Sequence, residues 1–426
     1  MAYGITTAGT TLAKVYRKVQ GNVLKGFQAK CEEWALAKRL KEFDLDMSAR
    51  EVTTPIDIIQ QGSGAFIPEG GYEANPKTAA PQELSFTWAN YNDRFSFTLT
   101  SEYLDRKFRQ AQLVRQAKYQ TKKLIEGLTN RVGTSFYGVS TGVLAKTSTN
   151  ATQASGTYAL KDAYGQSGLD DTAFLASLFK VDDYVALIRT GALVANAIGI
   201  ITAVHATNGL TITWAGSVDS DDGDEIVLAN SAGHLITTGT IAHTDYNKAP
   251  SGLLDFLTAT TVHGLSGSTY PLWMPALADT AGGRLTGTRI KKGQHQITNL
   301  GGGKMNLLIQ TQGVERDVYQ STSNAVQFND PLNMEILGNV KTKSIEQFSS
   351  RKVPTGFGIG MDKGTLHRWT MVPMPGEDAE SLDGIENANE DKLQDQNAKV
   401  MSFDFPYAFV TTNRGNMAYW SALTEA

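Results

Sequence analysis

The sequence predicts an α+β protein, and three stretches of the chain carry that prediction. Over 84–99, two runs of apolar residues alternate with polar ones, the spacing of strands with one buried face. A long run with helical spacing follows over 101–132, and a group of short strand-like runs fills 180–230. We therefore expect helices and sheets to be combined in several structural units.

Length and composition exclude several classes of protein. At roughly 150 residues per domain, the 426 residues predict about three domain-sized units. A hydrophobic share of 41% is typical of a chain with real cores, and the single cysteine, Cys31, excludes an internal disulfide. The formal net charge is −4, so any basic surface must be local. No signal-peptide pattern and no apolar run of about 18 residues occur, which predicts a soluble protein folded in a cytoplasm, with no membrane partner.

The N-terminal quarter contains a polar arm and a loop. Residues 1–55 are polar with local helical spacing, and we expect them to dock on another surface. Residues 56–83 are rich in glycine, proline and alanine, yet they include Phe66, Ile67 and Tyr72. Such side chains in a loop indicate a partner surface, or they tuck onto their own domain.

The alternating runs predict a hairpin that leads into a basic helix. Leu84, Phe86 and Trp88 share one face of the first strand, and the turn formers of 90–94 predict a turn before the second strand. The helix over 101–132 would span about 48 Å. Its cations form either a solvated face or a face held against phosphate or acidic neighbours. They include Arg106, Arg109, Arg115, Lys118, Lys122 and Lys123.

The strand-like runs of 180–230 predict a small barrel or sandwich inserted into a larger domain. Asn208-Gly209 is a strong hairpin signal between two of them. An acidic run over 219–225 is better explained as a solvated turn than as a calcium loop, because it lacks EF-hand spacing and the terminal glutamate. Further on, TGTRIKKGQHQITNLGGG predicts a helix closed by glycines, and MNLLIQT predicts a buried strand. Residues 375–398 form an acidic segment of low hydrophobicity, and strands are expected over 399–422.

No constellation of catalytic residues can be assembled from the sequence. The six histidines show no His-x-His pair and no i, i+4 pair, so zinc motifs are missing. Gly301-Gly302-Gly303-Lys304 is followed by Met305 where a phosphate loop needs serine or threonine. We therefore predict no catalytic, cofactor-binding or metal-ligating residues, and a protein that is not an enzyme.

The middle and end of the chain resemble the major capsid proteins of tailed bacteriophages. The resemblance lies in the order and layout of four segments, and it covers roughly 55–426. The segments are GLLDFLTATTVHGLSGSTYPLWMPAL, LTGTRIKKGQHQITNLGGGKMNLLIQTQGVERDVYQ, VPTGFGIGMDKGTLHRW and FPYAFVTTNRGNMAYWSAL.

This resemblance implies the capsid fold shared by phages and herpesviruses. Residues 1–55 would be the N-terminal arm and 56–100 an extended β-hairpin loop that reaches over a neighbouring subunit. Residues 101–160 would form a peripheral domain with a long spine helix. Residues 161–335 would form the axial domain, with 180–230 as the inserted β domain. Residues 336–426 would hold the axial remainder, the acidic loop and strands that return to the peripheral domain.

The implied function is a head shell of hexamers and pentamers around double-stranded DNA, located in the virion and assembled in the host cytoplasm. The loop contacts between subunits would be Phe66, Ile67, Tyr72, Trp88, Tyr91 and Arg94. The implied partners are copies of the chain, a separate scaffolding protein, a portal, a decoration protein, and DNA bound without sequence specificity, with no cofactor. The alternatives are an encapsulin-like nanocompartment shell and, from another class, a β-rich hydrolase; the long spine helix argues against a tail or decoration protein.

Overall fold

The fold is described in a computed structural model. The described residues are 33, 36, 39–42, 51–56, 82–98, 131–207, 209–230, 244–318, 345–370, 391–392 and 398–425. The strands among them are β1 (Lys41–Glu42), β2 (Glu51–Ile56), β3 (Gln82–Thr87), β4 (Ala89–Thr98), β5 (Val143–Thr147), β6 (Ala151–Tyr158), β7 (Leu160–Lys161), β8 (Tyr184–Arg189), β9 (Ala192–His205), β10 (Gly209–Ser220), β11 (Glu225–Leu228), β12 (Thr261–Val262), β13 (Leu265–Ser266), β14 (Leu277–Asp279), β15 (Leu307–Gln310), β16 (Glu346–Ser349), β17 (Gly358–Met361), β18 (Leu366–Thr370), β19 (Asp391–Lys392), β20 (Ala398–Thr411) and β21 (Met417–Trp420). The α-helices are α1 (131–137), α2 (Thr172–Ser177), α3 (Leu253–Thr258), α4 (Gly287–Gln296) and α5 (312–318).

The first sheet is organised around the long strand β20. Its order is β1-β18-β20-β19, and β4 also pairs with β20. The β4–β20 ladder is antiparallel and runs without interruption from Ala398 opposite Thr98 to Tyr407 opposite Ala89. The last residues of β20 pair with β18. Most of the β4–β20 ladder therefore lies beyond the residues of β20 that pair with β18.

The predicted turn at 90–94 is wrong. These residues lie inside β4, where they pair with 402–406 of β20. The two predicted strands exist, but they separate at Trp88 and do not pair with each other: β3 pairs with β2, and β4 pairs with β20. Alternation marks a strand without choosing its partner, and the hydrogen bonds offered by β20 outweigh the turn preference of asparagine and aspartate.

The β insertion is a closed barrel. Its strand order is β6-β10-β9-β8-β11-β5-β7, and the two ends of this path, β6 and β7, are consecutive parts of one stretch interrupted only at Ala159. Inside, Trp214 Nε1 donates to the hydroxyl of the buried Tyr158 at 2.7 Å. Alternate residues of β8, such as Val185 and Leu187, belong to the main core, as strand periodicity requires.

The barrel begins earlier than the predicted boundary at 180. Strands β5, β6 and β7, which were assigned to the peripheral domain, complete the barrel with β8 to β11, so the unit spans 143–228. The predicted hairpin between β9 and β10 is confirmed, and Gly209 adopts a φ of 89° at the start of β10. Short polar strands such as β6 carry a weak apolar signal, which is why their pattern did not extend the prediction.

The second sheet has the order β14-β21-β17-β15-β16. The predicted buried strand around 306–311 is confirmed as β15, and the predicted helix closed by glycines is α4, which runs into a π-turn at Ile297–Gly301. Helix α4 packs closely on β21: a side chain at Gly293 would lie 2.6 Å from the Trp420 ring. Helices α4 and α5 both contribute to one core cluster on this sheet.

The chain crosses between the two sheets at two adjacent turns. The turn after β17 leads to β18, and the turn after β20 leads to β21. The last strands are therefore divided between the two sheets, with β20 in the first and β21 in the second. Arg414 is fully buried in the second turn and donates to the carbonyl oxygens of Phe256 and Ala259, each at 2.6 Å.

Candidate assembly surface

The residues on either side of 57–81 form a paired root. Strands β2 and β3 are antiparallel, with Glu51 opposite Thr87 and Ile56 opposite Gln82. The register therefore places Ile56 and Gln82, which flank 57–81, side by side. We call 57–81 the reaching loop, after the extended loop that the sequence predicts, and the β2–β3 ladder its root. Strand β2 was missed in the sequence, although the β-branched residues Val52, Thr53 and Thr54 are a usable strand signal.

An aromatic cluster fixes the root to the first sheet. Leu84 and Phe86 of β3 are buried against Trp369 of β18, and Trp88 packs against the same cluster. The Trp88 and Trp369 ring centroids are 6.2 Å apart, and those of Phe86 and Trp369 are 6.4 Å apart. We call Leu84, Phe86, Trp88 and Trp369 the anchor cluster. Trp88, predicted as a contact with a neighbouring subunit, is thus placed against its own chain.

A buried histidine braces the same root. The ring of His263 lies 5.9 Å from that of Phe86, and its carbonyl accepts from Ser85 N at 2.9 Å. Its Nε2 accepts from the backbone N–H of Thr411 at 3.3 Å. Burial, and secondly the nearby Arg414 cation, lower the pKa of His263 to about 3. The neutral imidazole is therefore the form that connects the root to β20.

Tyr91 lines a cavity between the β4–β20 ladder, α1 and the segment 244–250. The cavity has a volume of about 300 Å³. Arg131 and Asp245 form an ion pair of 3.1 Å on its wall, and the hydroxyls of Ser135 and Tyr407 are 2.7 Å apart. Burial raises the pKa of Tyr407 to about 12, so this phenol is neutral.

Part of the N-terminal arm docks on the fold, as expected for a segment too polar to fold alone. Leu36 and Leu40 are buried in the main core, and β1 pairs with β18 in parallel. The buried carboxylate of Glu33 accepts a hydrogen bond from Ser350, and Arg39 forms an ion pair with Glu346. These contacts connect the arm to both sheets.

Several predicted contact residues lie outside the part of the chain whose side chains the structure describes. Arg94 is placed only by its backbone, which pairs with Ser402. The remaining predicted loop and helix residues lie outside the described residues altogether: Phe66, Ile67, Tyr72, Arg106, Arg109, Arg115, Lys118, Lys122 and Lys123.

The acidic run of the barrel is held by an arginine. Arg189 donates to both carboxylate oxygens of Asp224, at 2.8 and 2.9 Å, and to the carbonyl of Asp219 at 2.7 Å. A second ion pair joins its Nη1 to Asp221 at 2.9 Å. Among the described residues, no group of three or more histidine, cysteine, aspartate or glutamate side chains could hold a metal ion. The guanidinium of Arg189 is therefore the cation that pairs with Asp221 and Asp224.

The glycine run at 301–303 serves packing. A side chain at Gly301 would lie 1.9 Å from Asn416 Oδ1 and 2.4 Å from the carbonyl of Gly415. The N–H of Gly303 donates to Asn416 Oδ1 at 3.0 Å. The run therefore lets the end of α4 approach the turn between β20 and β21. None of the described helices is both long and apolar enough to span a membrane.

A comparison with solved structures finds similarity to shell proteins along most of the chain. A chain of the cyanophage A-1(L) capsid asymmetric unit is 12% identical, with a TM-score of 0.48, and the match covers 92% of this chain and 91% of that one. For the holo-SrpI encapsulin complex from Synechococcus elongatus the values are 8%, 0.40, 92% and 87%. For a satellite phage P4 procapsid that includes the size determination (Sid) protein they are 7%, 0.35, 89% and 84%. No protein-family model matches the chain, and no curated protein matches its sequence.

Proposed function

We propose that the protein is the major capsid protein of a tailed bacteriophage. Its copies assemble as hexamers and pentamers into an icosahedral head shell that encloses double-stranded DNA. The shell assembles in the host cytoplasm and remains part of the virion. A separate scaffolding protein, a portal and a decoration protein complete the set of partners, and no cofactor is required.

The observation that supports this function best is the rooted reaching loop. The β2–β3 register holds both ends of 57–81, and the anchor cluster fixes the root on the first sheet. The loop itself carries Phe66, Ile67 and Tyr72. A firmly held root with apolar side chains beyond it is an arrangement suited to contact with a neighbouring copy.

The free energy gained by burying aromatic loop side chains on a neighbouring copy is large enough to support assembly. A buried aromatic side chain covers about 150–250 Å². At about 25 cal/mol per Å², each such side chain contributes several kcal/mol before ordering is subtracted. A single contact of this kind is weak, but each subunit would make it with one neighbour and receive it from another. The contacts then add through multivalency as a shell closes.

We assign different roles to the predicted contact residues. Phe66, Ile67 and Tyr72 are the proposed contacts with the neighbour. Trp88 acts through the anchor cluster, and Tyr91 packs against the main core, so both fix the direction in which the loop leaves. Arg94, in the β4–β20 ladder, is the remaining candidate for a contact with a neighbouring copy outside the loop.

The test is a pair of matched double variants. Phe66→Ala with Tyr72→Ala should leave the melting temperature unchanged and reduce assembly, so that the protein sediments as subunits or capsomers. The control, Leu272→Ala with Leu300→Ala, removes two apolar side chains that are exposed elsewhere, and it should assemble as the parent does. Particles of normal size and yield from the loop variant would show that the loop is not the contact.

The contents of the particles separate the two kinds of shell. We expect nuclease-protected duplex DNA inside particles recovered from infected cells. An encapsulin-like shell would hold a cargo protein and no protected DNA. The barrel at 143–228 adds to the shell either by stabilising the capsomer or by decorating its outer surface.

A further inference from the structure

The second sheet carries a basic surface that the sequence analysis did not single out. Between residues 277 and 318, every ionisable side chain that is exposed is basic. These residues are Arg284, Lys291, Lys292, His295, Lys304 and Arg316. We call them the basic face. The stretch 284–304 contains five lysines and arginines and no acidic residue.

Helix α4 presents the centre of this face. Ile290 and Gly293 are buried against the sheet, whereas Lys291, Lys292 and His295 are exposed. Positions 291 and 295 are one helical turn apart, and 292 and 295 are neighbours at i, i+3, so the three side chains share one surface. The packing of Gly293 on Trp420 holds the helix at a fixed height above β21. The basic face is therefore displayed on a rigid element.

The lysines of the basic face form no close ion pair with the fold. Among the described residues, no ion pair involves Lys291, Lys292 or Lys304. Arg289 is different, because it donates to Asp279 at 3.1 Å and to the carbonyl of Gly282 at 2.6 Å. Its charge is therefore neutralised by a carboxylate of the same chain. The acidic side chains nearby are also occupied or inaccessible, since Ser349 donates to Glu315 at 2.6 Å and Asp317 is buried.

The opposite charge is concentrated on the barrel. Residues 143–228 contain ten acidic residues and four lysines and arginines. A polyanion would therefore be attracted to the basic face and repelled from the barrel. Five of the six residues of the basic face are lysines or arginines, and the stretch 277–318 contains no phenylalanine, tryptophan or tyrosine. Such a surface suits phosphates spread along a duplex better than bases, which need stacking platforms or groove contacts.

We propose that the basic face contacts the phosphate backbone of the enclosed duplex, so that α4 faces the inside of the shell and the barrel faces away from the DNA. This inference rests on the proposed capsid function and deepens it. It moves the DNA contact from the predicted spine-helix cations to α4. Binding would be independent of sequence and sensitive to salt, because it depends on counterion release.

The experiment measures binding of a short duplex of mixed sequence at several salt concentrations. Each phosphate contact contributes about 0.9 to the slope of log affinity against log salt. Lys291→Gln with Lys292→Gln should therefore reduce the magnitude of that slope by about 1.8 and leave shell assembly unchanged. The matched control is Lys180→Gln with Arg351→Gln, which removes two exposed cations elsewhere and should leave the slope as it is.

Three results would overturn the inference. The first is an unchanged slope in the Lys291 and Lys292 variant while Lys118→Gln with Lys122→Gln reduces it, which would return the contact to the spine helix. The second is an equal reduction in the control variant, which would reflect net charge alone. The third is loss of assembly with unchanged DNA affinity, which would assign the face to an acidic surface of a neighbouring copy.

The same experiment separates this inference from the proposed function. Shells with no change in slope would contradict this inference alone, whereas the absence of shells from the unaltered protein would contradict the proposed function.

Discussion

A few buried side chains fix the root of the proposed reaching loop to the first sheet. Leu84 is fully buried in the anchor cluster, between the root and the first sheet. Its neighbours Phe86 and Trp369 are large, rigid rings, which limits how far the site can collapse around a cavity. Stability and loop direction are therefore coupled at this residue.

Leu84→Ala should lower the free energy of unfolding by about 2–5 kcal/mol, because it removes buried methyl groups and leaves a cavity. Urea denaturation followed by tryptophan fluorescence measures the change. The control is Leu272→Ala, whose side chain is 58% exposed, and it should change stability by less than about 0.5 kcal/mol. Equal losses in the two variants would mean that the anchor cluster does not hold the root.

His263 makes the same region sensitive to pH. Its folded-state pKa of about 3 lies below the ordinary value of 6.5, so the unfolded chain binds the proton more readily. The stabilisation is complete above about pH 6.5 and is lost as the pH falls toward 3. Between pH 7 and pH 5 the parent should lose about 2 kcal/mol that His263→Gln does not lose. Urea midpoints at the two pH values measure this, and parallel losses would assign the sensitivity to other groups.

At the scale of elements, the local sequence pattern predicts which segments form helices and strands, but it does not predict which strands pair with each other. Helix α4, its glycine end and strand β15 could be predicted because each has its own spacing and end signals. The pairing of β4 with β20 joins residues that are hundreds of positions apart, and nothing in the alternation of 84–98 specifies it. The barrel was half predicted for the same reason: its β8 to β11 strands are apolar enough to recognise, and β6 is not.

The arginine clamp of the barrel gives a test at this scale. Arg189→Ala would leave the buried carboxylate of Asp224 without its cation, and should cost up to about 3 kcal/mol. The parent protein should show the same melting temperature in calcium and in chelator, because Arg189 already occupies the carboxylates. A calcium-dependent rise in the melting temperature would restore the calcium-loop interpretation of 219–225.

For the whole molecule, the candidate contact surface could be located from the sequence only in outline. The loop residues Phe66, Ile67 and Tyr72 were identifiable because apolar side chains are unusual among glycines and prolines. The place of Trp88 in its own core could not be foreseen, since Trp369 meets it only through the pairing of β18 with β20. The excess of basic residues over 284–304 can be read from the sequence, but which of their side chains are exposed depends on which side of α4 is buried.

The central claim is that copies of this chain close into a shell. Negative-stain electron microscopy of the purified full-length protein tests it most directly. The proposed function predicts closed particles of uniform diameter, together with rings of five and six subunits where assembly is incomplete. A field of single subunits at concentrations where shell proteins assemble would contradict it.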